Sequence, residues 1–561
     1  MLRRRQRVQG ERHRVLAMVA VLAVIGILAA AGSTLESADP VPSQTPAPPE
    51  AQGPLEGGTL TVAFGEEPVS LDPAFATDRT SANVAGNLFD PLVRLGPELQ
   101  PEPALAREWR VSEDGLTVTF LLRPEARWSN GEPVVAADFE AAWKRVLSPE
   151  LESPVAARLH GIRGAVAYNR CTERCAELED AVGVRARGDH RLVVRLATPQ
   201  PWFVRLTALP AFLPVHMRTV VRHGDSWVEP GTIVANGPFV LGGLTESSIS
   251  LVRNPRFRAA ARVSLARIEG LVLPDARARV QAFDEGTVLA LDGSPLPEPD
   301  LPGLRERREY EEYPSLRATT YAFNLAGITD VRQRRAMSLA IDRGALVENE
   351  TGGGEAPATR YLPAGMPREG REPPDSPWAP ADGDLEAARA ELEEAGVVKR
   401  RVTLLHVDGA DERAVALFLA ASWEELGIET VVRSQPAESF LDFPGPLSRD
   451  SVDLYQQDLD PWLPDPWPTL ALWSCGAAAN KANFCSAAYD ALLGEAREEE
   501  SGLVRNDLYA RAEALLTGEG GALPVLPVYR PTFTTLESLQ VQDTFAVNPL
   551  GQIDFSAVTL D

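Results

Sequence analysis

The chain has 561 residues, long enough for two or three domains with substantial cores, and its 44% hydrophobic and 24% charged content is typical of a globular protein. Its net charge is −24, and because the first fourteen residues hold six Arg and one Glu, the remainder carries −29. The strong negative charge of this remainder argues against nucleic acid as a partner, since binding to phosphates requires a basic face.

The N-terminus has the pattern of an export signal. Basic residues between Arg3 and Arg14 precede an apolar run from Val15 to Gly32 that ends in small side chains. This run is long for a cleaved signal and short for a membrane span, so cleavage near Ala31 and retention as an anchor both stay open. We predict a signal peptide or N-terminal membrane anchor at 1–32, a Pro/Ser-rich linker at 33–56, and an extracytoplasmic location for the rest.

The four cysteines fall into two local pairs. Cys171 and Cys175 are four positions apart, and Cys475 and Cys485 are ten apart. In an exported protein, two disulfides are the simplest interpretation. A zinc site made by all four thiolates is the alternative, although neither pair has the two-residue spacing of a zinc knuckle.

The first half of the body contains strands and turns in a clear order. Residues 58–64 (GTLTVAF) predict a strand that leads to the turn SLDP at 70–73. Alternating apolar residues at 116–122 predict a half-buried strand, preceded by a hairpin turn, EDG, at 113–115. A helix with apolar residues at every third or fourth position is predicted from Ala137.

Two further motifs follow in the middle of the chain, and a predicted β-α-β unit comes after them. RHGDSW at 222–227 is followed by the turn NGPF at 236–239. A strand at 402–407, a helix at 411–426 and a strand at 430–432 predict a mostly parallel sheet in the second half of the chain.

Taken together, these motifs resemble a known family. SLDP, EDGLT, SNGEPV with ADF and WKR, HGDSW and NGPF occur here in the order found in extracytoplasmic solute-binding proteins of ABC importers. The resemblance is strongest to the oligopeptide- and dipeptide-binding class, solute-binding protein family 5, and it covers residues 57–561. Each motif is loose alone, but the shared order makes the set specific.

The resemblance implies an α/β, two-lobed periplasmic-binding-protein-like fold of the large, peptide-binding class, with an extra domain inserted in the first lobe. The expected boundaries are 57–105, 231–325 and 525–561 for lobe I, 106–230 for the extra domain, and 326–524 for lobe II. The implied function is capture of a peptide or other small solute between the lobes by hinge closure, followed by delivery to an ABC permease and ATPase complex. A monomer without a metal or cofactor is expected, attached to the membrane, if at all, through its N-terminal segment. Family members that are lipoproteins carry a Cys after the apolar run, whereas this chain has Ala29 to Ser33 there.

A catalytic function finds little support in the sequence. The six His are scattered without a metal-ligand spacing, and there is no G-x-S-x-G elbow, Walker loop or G-x-G-x-x-G opening a helix. We therefore expect a binding protein rather than an enzyme.

The resemblance also suggests a ligand loop at 452–472 (VDLYQQDLDPWLPDPWPTLAL). Peptide-binding relatives have a D-Y-x-D/E-P loop here, whose first Asp receives the ammonium group of the peptide. Alignment on Pro466 matches Asp465 to the second acid and puts Trp462 where the ammonium-binding Asp belongs. Asp460, two residues earlier, is a candidate substitute. The full set of predicted ligand contacts is Glu67, Gln456, Asp460, Trp462, Asp465 and Trp467.

Three functional hypotheses remain. Asp460 retains an amine-binding role in a peptide binder, or the pocket has changed to a non-peptide solute such as a sugar, opine or metal chelate through Gln456, Trp462 and Trp467. A membrane-anchored sensor or interaction module is the third. For Trp462 and Trp467, packing against other side chains of the protein is the alternative to ligand contact.

Overall fold

The computed structural model describes residues 57–96, 99–352, 354–367, 373–440 and 446–560. The predicted signal or anchor (1–32) and the linker (33–56) lie outside these residues. Within the described ranges, no helix has both the length and the apolar character that crossing a membrane requires.

The strands, in chain order, are β1 (Thr59–Phe64), β2 (Val93–Leu95), β3 (Pro101–Pro103), β4 (Ala106–Val111), β5 (Thr117–Leu122), β6 (Val184–Ala186), β7 (Arg191–Arg195), β8 (Phe239–Thr245), β9 (Ser248–Arg253), β10 (Arg267–Val272), β11 (Ala290–Leu291), β12 (Tyr310–Pro314), β13 (Thr319–Phe323), β14 (Glu355–Pro357), β15 (Arg401–Val407), β16 (Glu429–Gln435), β17 (Leu454–Gln456) and β18 (Val525–Leu536).

The α-helices are α1 (Arg79–Leu88), α2 (Ala136–Leu147), α3 (Ala165–Asn169), α4 (Cys175–Ala181), α5 (Phe203–Leu206), α6 (Met217–His223), α7 (Ala276–Asp284), α8 (Leu301–Arg305), α9 (Val331–Leu339), α10 (Arg343–Glu350), α11 (Leu385–Glu394), α12 (Ala410–Glu424), α13 (Pro466–Ala471), α14 (Ala487–Glu498) and α15 (Gly502–Thr517).

The first lobe is built on a five-stranded sheet and carries a separate four-stranded sheet. The five strands are ordered β11-β1-β10-β9-β8, with β1 parallel to β10 and β11. The four strands, β4-β5-β7-β6, are all antiparallel. The predicted hairpin is confirmed, because β4 and β5 pair across a turn in which Gly115 has a φ of +65°. Helix α2 packs on this sheet, and its Trp143 is fully buried.

The second lobe is built on a seven-stranded sheet ordered β12-β18-β13-β17-β15-β16, with β14 also pairing with β18. The β15-α12-β16 unit confirms the predicted β-α-β pattern, since β15 and β16 are parallel. Alternation along the strands sends successive side chains into different cores. Leu404 and Leu454 belong to one buried cluster, whereas Leu405 and Tyr455 belong to another. Helices therefore cover both faces of this sheet.

Three strands of the second sheet come from segments that join the lobes. Strands β12 and β13 lie within 231–325, and β18 lies within 525–561, yet all three pair in the seven-stranded sheet. The two-lobed α/β fold with an additional domain in the first lobe is as expected. The domain boundaries given above stay predictions.

Glu537 lies just after β18, where the chain returns to the first lobe, and it forms a bridge with Ala290 of β11. Its side chain is fully buried and accepts hydrogen bonds from Tyr313 at 2.9 Å and Thr535 at 2.6 Å. Burial raises the pKa of Glu537 to about 7, and the nearby Glu311 adds to the shift. No cation forms an ion pair with Glu537 among the described residues.

The motif residues that carry the family resemblance hold the first lobe together. Asp72 of SLDP accepts two hydrogen bonds from Arg145 of WKR, at 3.0 and 2.5 Å, and one from the indole of Trp227 of HGDSW at 3.3 Å. Asn236 of NGPF accepts the backbone N–H of Asp90 at 3.1 Å. Because these contacts join distant segments, the motifs mark a shared scaffold rather than a ligand site.

Both predicted disulfides are present, Cys171–Cys175 and Cys475–Cys485. The zinc alternative for these thiolates is therefore wrong. In the described part of the chain, no group of His, Cys, Asp and Glu side chains is arranged to hold a metal ion.

Candidate ligand-binding site

One edge of the seven-stranded sheet collects polar side chains. Strands β15 and β17 are parallel, and both end here, at Val407 and Gln456. Tyr321 of β13 pairs with Gln456, and the register of β15 places His406 beside it. In open α/β sheets, ligands bind outside the carboxyl ends of the strands. This edge is therefore the candidate site in the second lobe.

Gln456, a predicted ligand contact, is buried and bonded within the protein. Its amide oxygen accepts the backbone N–H of Val407 at 3.0 Å, and its amide nitrogen donates to Asp458 Oδ2 at 2.7 Å. The side chain therefore orients Asp458 and has only limited capacity left for a ligand.

Asp458 was not among the residues predicted from the sequence. Solvent reaches its side chain, but the surrounding protein raises its pKa to about 6, mainly through desolvation. Glu412, in the first turn of α12, raises the pKa further, whereas Gln456 and Arg317 lower it. Only its place directly after a strand end could have indicated it. Asp458 thus titrates close to neutral pH.

Two buried polar atoms beside Asp458 have no hydrogen-bond partner within the described residues. They are the hydroxyl of Tyr321 and Nε2 of His406, whose Nδ1 contacts the Val407 carbonyl oxygen at 2.7 Å. Buried polar groups in proteins are nearly always hydrogen-bonded, so these two atoms are available to bond to a group that enters the site. Both atoms lie in the row of side chains that ends at the candidate site.

Asp460 and Trp462 are accessible. The side chain of Asp460 is 81% exposed, and its carboxylate lies 4.0 Å from Nε of Arg317 in a surface ion pair. Trp462 is 39% exposed, and the guanidinium of Arg158 lies 5.4 Å from its ring centroid. Since Arg158 belongs to the domain of the four-stranded sheet, Trp462 contacts the first lobe. Asp460 is therefore the more exposed of these two predicted contacts.

Asp465 is buried and fully engaged. It caps the N-terminus of α13 by accepting the backbone N–H of Trp467 at 2.9 Å, and it accepts the Tyr509 hydroxyl at 3.1 Å. Arg205 of α5 donates to it at 3.3 Å from the first lobe. Burial raises its pKa and Arg205 opposes the rise. Groups of the protein itself therefore hydrogen-bond this carboxylate and pair with its charge.

Trp467 also joins the lobes. Its ring stacks on Trp202 with 5.0 Å between centroids and 19° between planes, and its indole N–H donates to the Leu493 carbonyl oxygen at 3.2 Å. Trp202 lies just before α5, so the Trp pair and the Arg205–Asp465 pair form one contact between the lobes. We call these four residues the pivot contact. Contact of Asp465 or Trp467 with a ligand stays a prediction.

Glu67 follows β1 in the first lobe. Its side chain is exposed and forms no hydrogen bond or ion pair with other described residues. The structure does not bring it into contact with the residues of the second-lobe edge, so its ligand role also stays a prediction.

The family model for bacterial extracellular solute-binding proteins, family 5 (middle region), matches residues 100–481. This chain belongs to the family 5 extracellular solute-binding proteins. The match spans both the four-stranded sheet and most of the second lobe, and so includes the ligand loop and the pivot contact.

Two relatives show what this family 5 protein resembles. It is 30% identical to the Escherichia coli protein named "Probable deoxycholate-binding periplasmic protein YgiS", with 82% of this chain and 86% of YgiS covered. It is similar in structure to MppA, a periplasmic murein tripeptide-binding protein of Escherichia coli, in its unliganded open form: the TM-score is 0.79 at 28% identity, with 90% of this chain and 98% of MppA covered.

Two solved structures of MppA match this family 5 protein with different TM-scores. A second solved structure of Escherichia coli MppA, also 28% identical and covering 90% of this chain and 99% of MppA, has a TM-score of only 0.67. The score is thus higher with the structure of the unliganded open form.

Proposed function

We propose that this chain is the peptide-capturing component of an ABC importer, which closes its two lobes around a peptide and delivers it to a membrane permease driven by an ATPase. Family membership and the similarity to MppA support this function. The observation that carries it is the pair of accessible carboxylates, Asp458 and Asp460, at the carboxyl edge of the second-lobe sheet.

The charge at this edge suits an ammonium group. Trp462 stands where peptide-binding relatives carry their ammonium-binding Asp, so the negative charge has to come from another residue. The amide nitrogen of Gln456 donates a hydrogen bond to Asp458 at 2.7 Å, and Glu412 lies near enough to raise the pKa of Asp458. Arg317 is 55% exposed at 4.0 Å from Asp460, and so loose a surface pair competes weakly with a ligand. We propose Asp458, assisted by Asp460, as the ammonium-binding group.

The first test is native mass spectrometry of the exported protein purified from its own host, followed by denaturation to identify what is released. We expect a mixture of peptides. A charge-assisted hydrogen bond contributes about 1.5–3 kcal/mol, so Asp458→Asn should weaken peptide binding roughly 10- to 100-fold. Asp460→Asn should have a smaller effect.

Asp507→Asn is the matched control, because Asp507 is 69% exposed on α15 and, among the described residues, forms an ion pair only with Arg511, at 3.8 Å. A single non-peptide mass would contradict the peptide assignment and leave the importer role standing. Deoxycholate and a sugar panel belong in a parallel thermal-shift experiment, since YgiS carries a non-peptide name. An empty protein that no peptide or solute stabilises would favour the sensor hypothesis.

We further propose that the protein works as a monomer outside the cytoplasm, with residues 1–32 either removed on export or kept as a membrane anchor, and with the domain boundaries stated above. The intact mass of the native protein distinguishes the two fates of the N-terminus. Loss of about the first 31 residues would establish a signal peptide, and a full-length mass in the membrane fraction would establish an anchor.

A further inference from the structure

A second concave site lies in the domain of the four-stranded sheet. It is a groove of about 520 Å³ whose lining includes the side chains of four arginines and one carboxylate: Arg163, Arg185, Arg187, Arg195 and Asp180. None of these residues belongs to the ligand loop or to the pivot contact. The groove is therefore a separate feature of the molecule.

Backbone hydrogen bonds bring two of the arginines together. The N–H of Arg163 donates to the Arg195 carbonyl at 2.9 Å, and the N–H of Gly183 donates to the Arg163 carbonyl at 2.7 Å. A Cβ placed on Gly183 would lie 3.2 Å from the Cβ atoms of both Arg163 and Arg195, and 2.5 Å from the Arg195 carbonyl oxygen. Only glycine fits, so the segments that carry the two arginines approach Gly183 closely from both sides.

A disulfide and a close backbone contact fix the position of the opposite wall of the groove. The Cys171–Cys175 disulfide closes the chain at the start of α4, and the last residues of this helix, Asp180 and Ala181, line the groove. Gly164 has a φ of +78°, and a Cβ there would come within 2.8 Å of the Ala181 carbonyl oxygen. The segments that present Arg163 and α4 therefore pack at a distance that only glycine allows.

The positive charge of the groove is largely uncompensated. Arg163, Arg187 and Arg195 are exposed, and within the described ranges none of them forms an ion pair. Arg185 donates to two carbonyl oxygens and lies 3.4 Å from Glu140. Four guanidinium groups meet one lining carboxylate in a chain whose net charge is −24. Like charges repel, so an anion bound among these guanidinium groups would be stabilised by the positive potential of the groove.

We propose that this groove binds a phosphate group, either free in solution or in the headgroup of an anionic lipid. Guanidinium groups donate paired N–H bonds whose geometry matches phosphate oxygens. Arg163 and Arg195, on either side of Gly183, hold the phosphate, and Arg187 adds to the positive potential at the rim. The site is independent of peptide capture, because it lies outside the ligand loop.

The test compares charge-matched single variants of the full-length chain. Arg163→Gln and Arg195→Gln remove one groove charge each. Arg222→Gln is the control, because Arg222 is exposed on α6 of the same domain and lies outside the groove. Inorganic phosphate is titrated at low ionic strength by calorimetry. Sedimentation with vesicles of phosphatidylcholine alone, and of phosphatidylcholine with phosphatidylglycerol, tests the lipid headgroup.

We expect each groove variant to weaken phosphate binding about fivefold, as the loss of one exposed charge pair predicts, while Arg222→Gln behaves as wild type. Binding of free phosphate would assign a soluble anion. Sedimentation only with phosphatidylglycerol vesicles, reduced in both groove variants, would assign a headgroup. Equal behaviour of all three variants, or no binding of either probe, would overturn the proposal. Unchanged melting temperatures would show that the variants are folded.

Discussion

The two halves of the ligand loop differ in what holds their carboxylates. Asp458 and Asp460, in the first half, are reached by solvent at the edge of the second-lobe sheet. Asp465, a few residues later, is 1% exposed and bonded to Arg205 and Tyr509. All three are aspartates in one short segment. Partners from distant parts of the chain determine how much of each carboxylate solvent can reach.

The ligand loop thus contains accessible carboxylates and a carboxylate that holds the two lobes together, and the sequence alone does not distinguish them. Alignment with the family loop draws attention to Asp465, because it precedes Pro466 as the second acid does in peptide-binding relatives. In the structure, this acid joins the lobes, and the available charge lies at Asp458 and Asp460. Acidic identity in this loop therefore does not by itself show whether a carboxylate is accessible or bonded within the protein.

The largest effect is expected from Asp465→Ala. The change would leave the Arg205 guanidinium and the Tyr509 hydroxyl unpaired in a buried contact and would remove the cap of α13. We expect a loss of about 3–5 kcal/mol in the free energy of unfolding, measured by chemical denaturation. Asp460→Ala, in the exposed half of the loop, should change it by less than about 0.5 kcal/mol. Equal losses would remove the distinction between the two halves.

Glu537 sharpens the comparison, because it is buried like Asp465 but forms no ion pair with any cation in the described part of the chain. Its pKa of about 7 in the folded protein exceeds the ordinary 4.5, so the folded state keeps a proton that the unfolded state has lost. Stability should therefore fall by up to about 3 kcal/mol as the pH rises from 4.5 to 7, and stay low above it.

Glu537→Gln should remove most of this dependence of stability on pH. The variant should also be more stable than wild type at pH 8. Denaturation curves recorded between pH 4.5 and 8 measure both effects. Glu500→Gln, an exposed change, is the control. A wild-type curve without a decline over this range would show that Glu537 ionises normally.

The smallest effect concerns the accessible half of the loop. With a pKa of about 6, Asp458 is mostly protonated at pH 5 and mostly ionised at pH 7. Because an ammonium ligand needs the ionised form, affinity for a peptide should rise about tenfold between these values, as measured by calorimetry. Asp458→Asn should abolish the rise, whereas Asp460→Asn should keep it. A rise that survives in Asp458→Asn would assign the titration to another group.

Much of the fold could be predicted because its signals are local. The hairpin before α2 follows from alternation and from a glycine with positive φ, and the β15-α12-β16 unit follows from a change of hydrophobic period. The disulfides follow from close spacing in an exported chain. Each of these depends on residues that are near one another in the sequence.

The site was less predictable because its decisive contacts are not local. Arg205 and Asp465 are 260 positions apart, and nothing near either residue indicates the other. Asp458 escaped notice because its pKa is raised mainly by desolvation, which depends on the packing of segments that are distant in the sequence. Asp460 and Trp462, by contrast, were found through the family loop and are accessible.

The stacked indoles of the pivot contact have an optical consequence. Two indoles with ring centroids 5.0 Å apart and 19° between their planes couple their excited states, and where their transition moments are twisted relative to each other this coupling produces a paired band in circular dichroism. Since Trp202 and Trp467 lie on different lobes, the amplitude of that band reports whether the lobes remain joined at this point. The protein thus contains its own label-free probe: a signal that persists when peptide binds would identify this contact as the fixed point of the hinge.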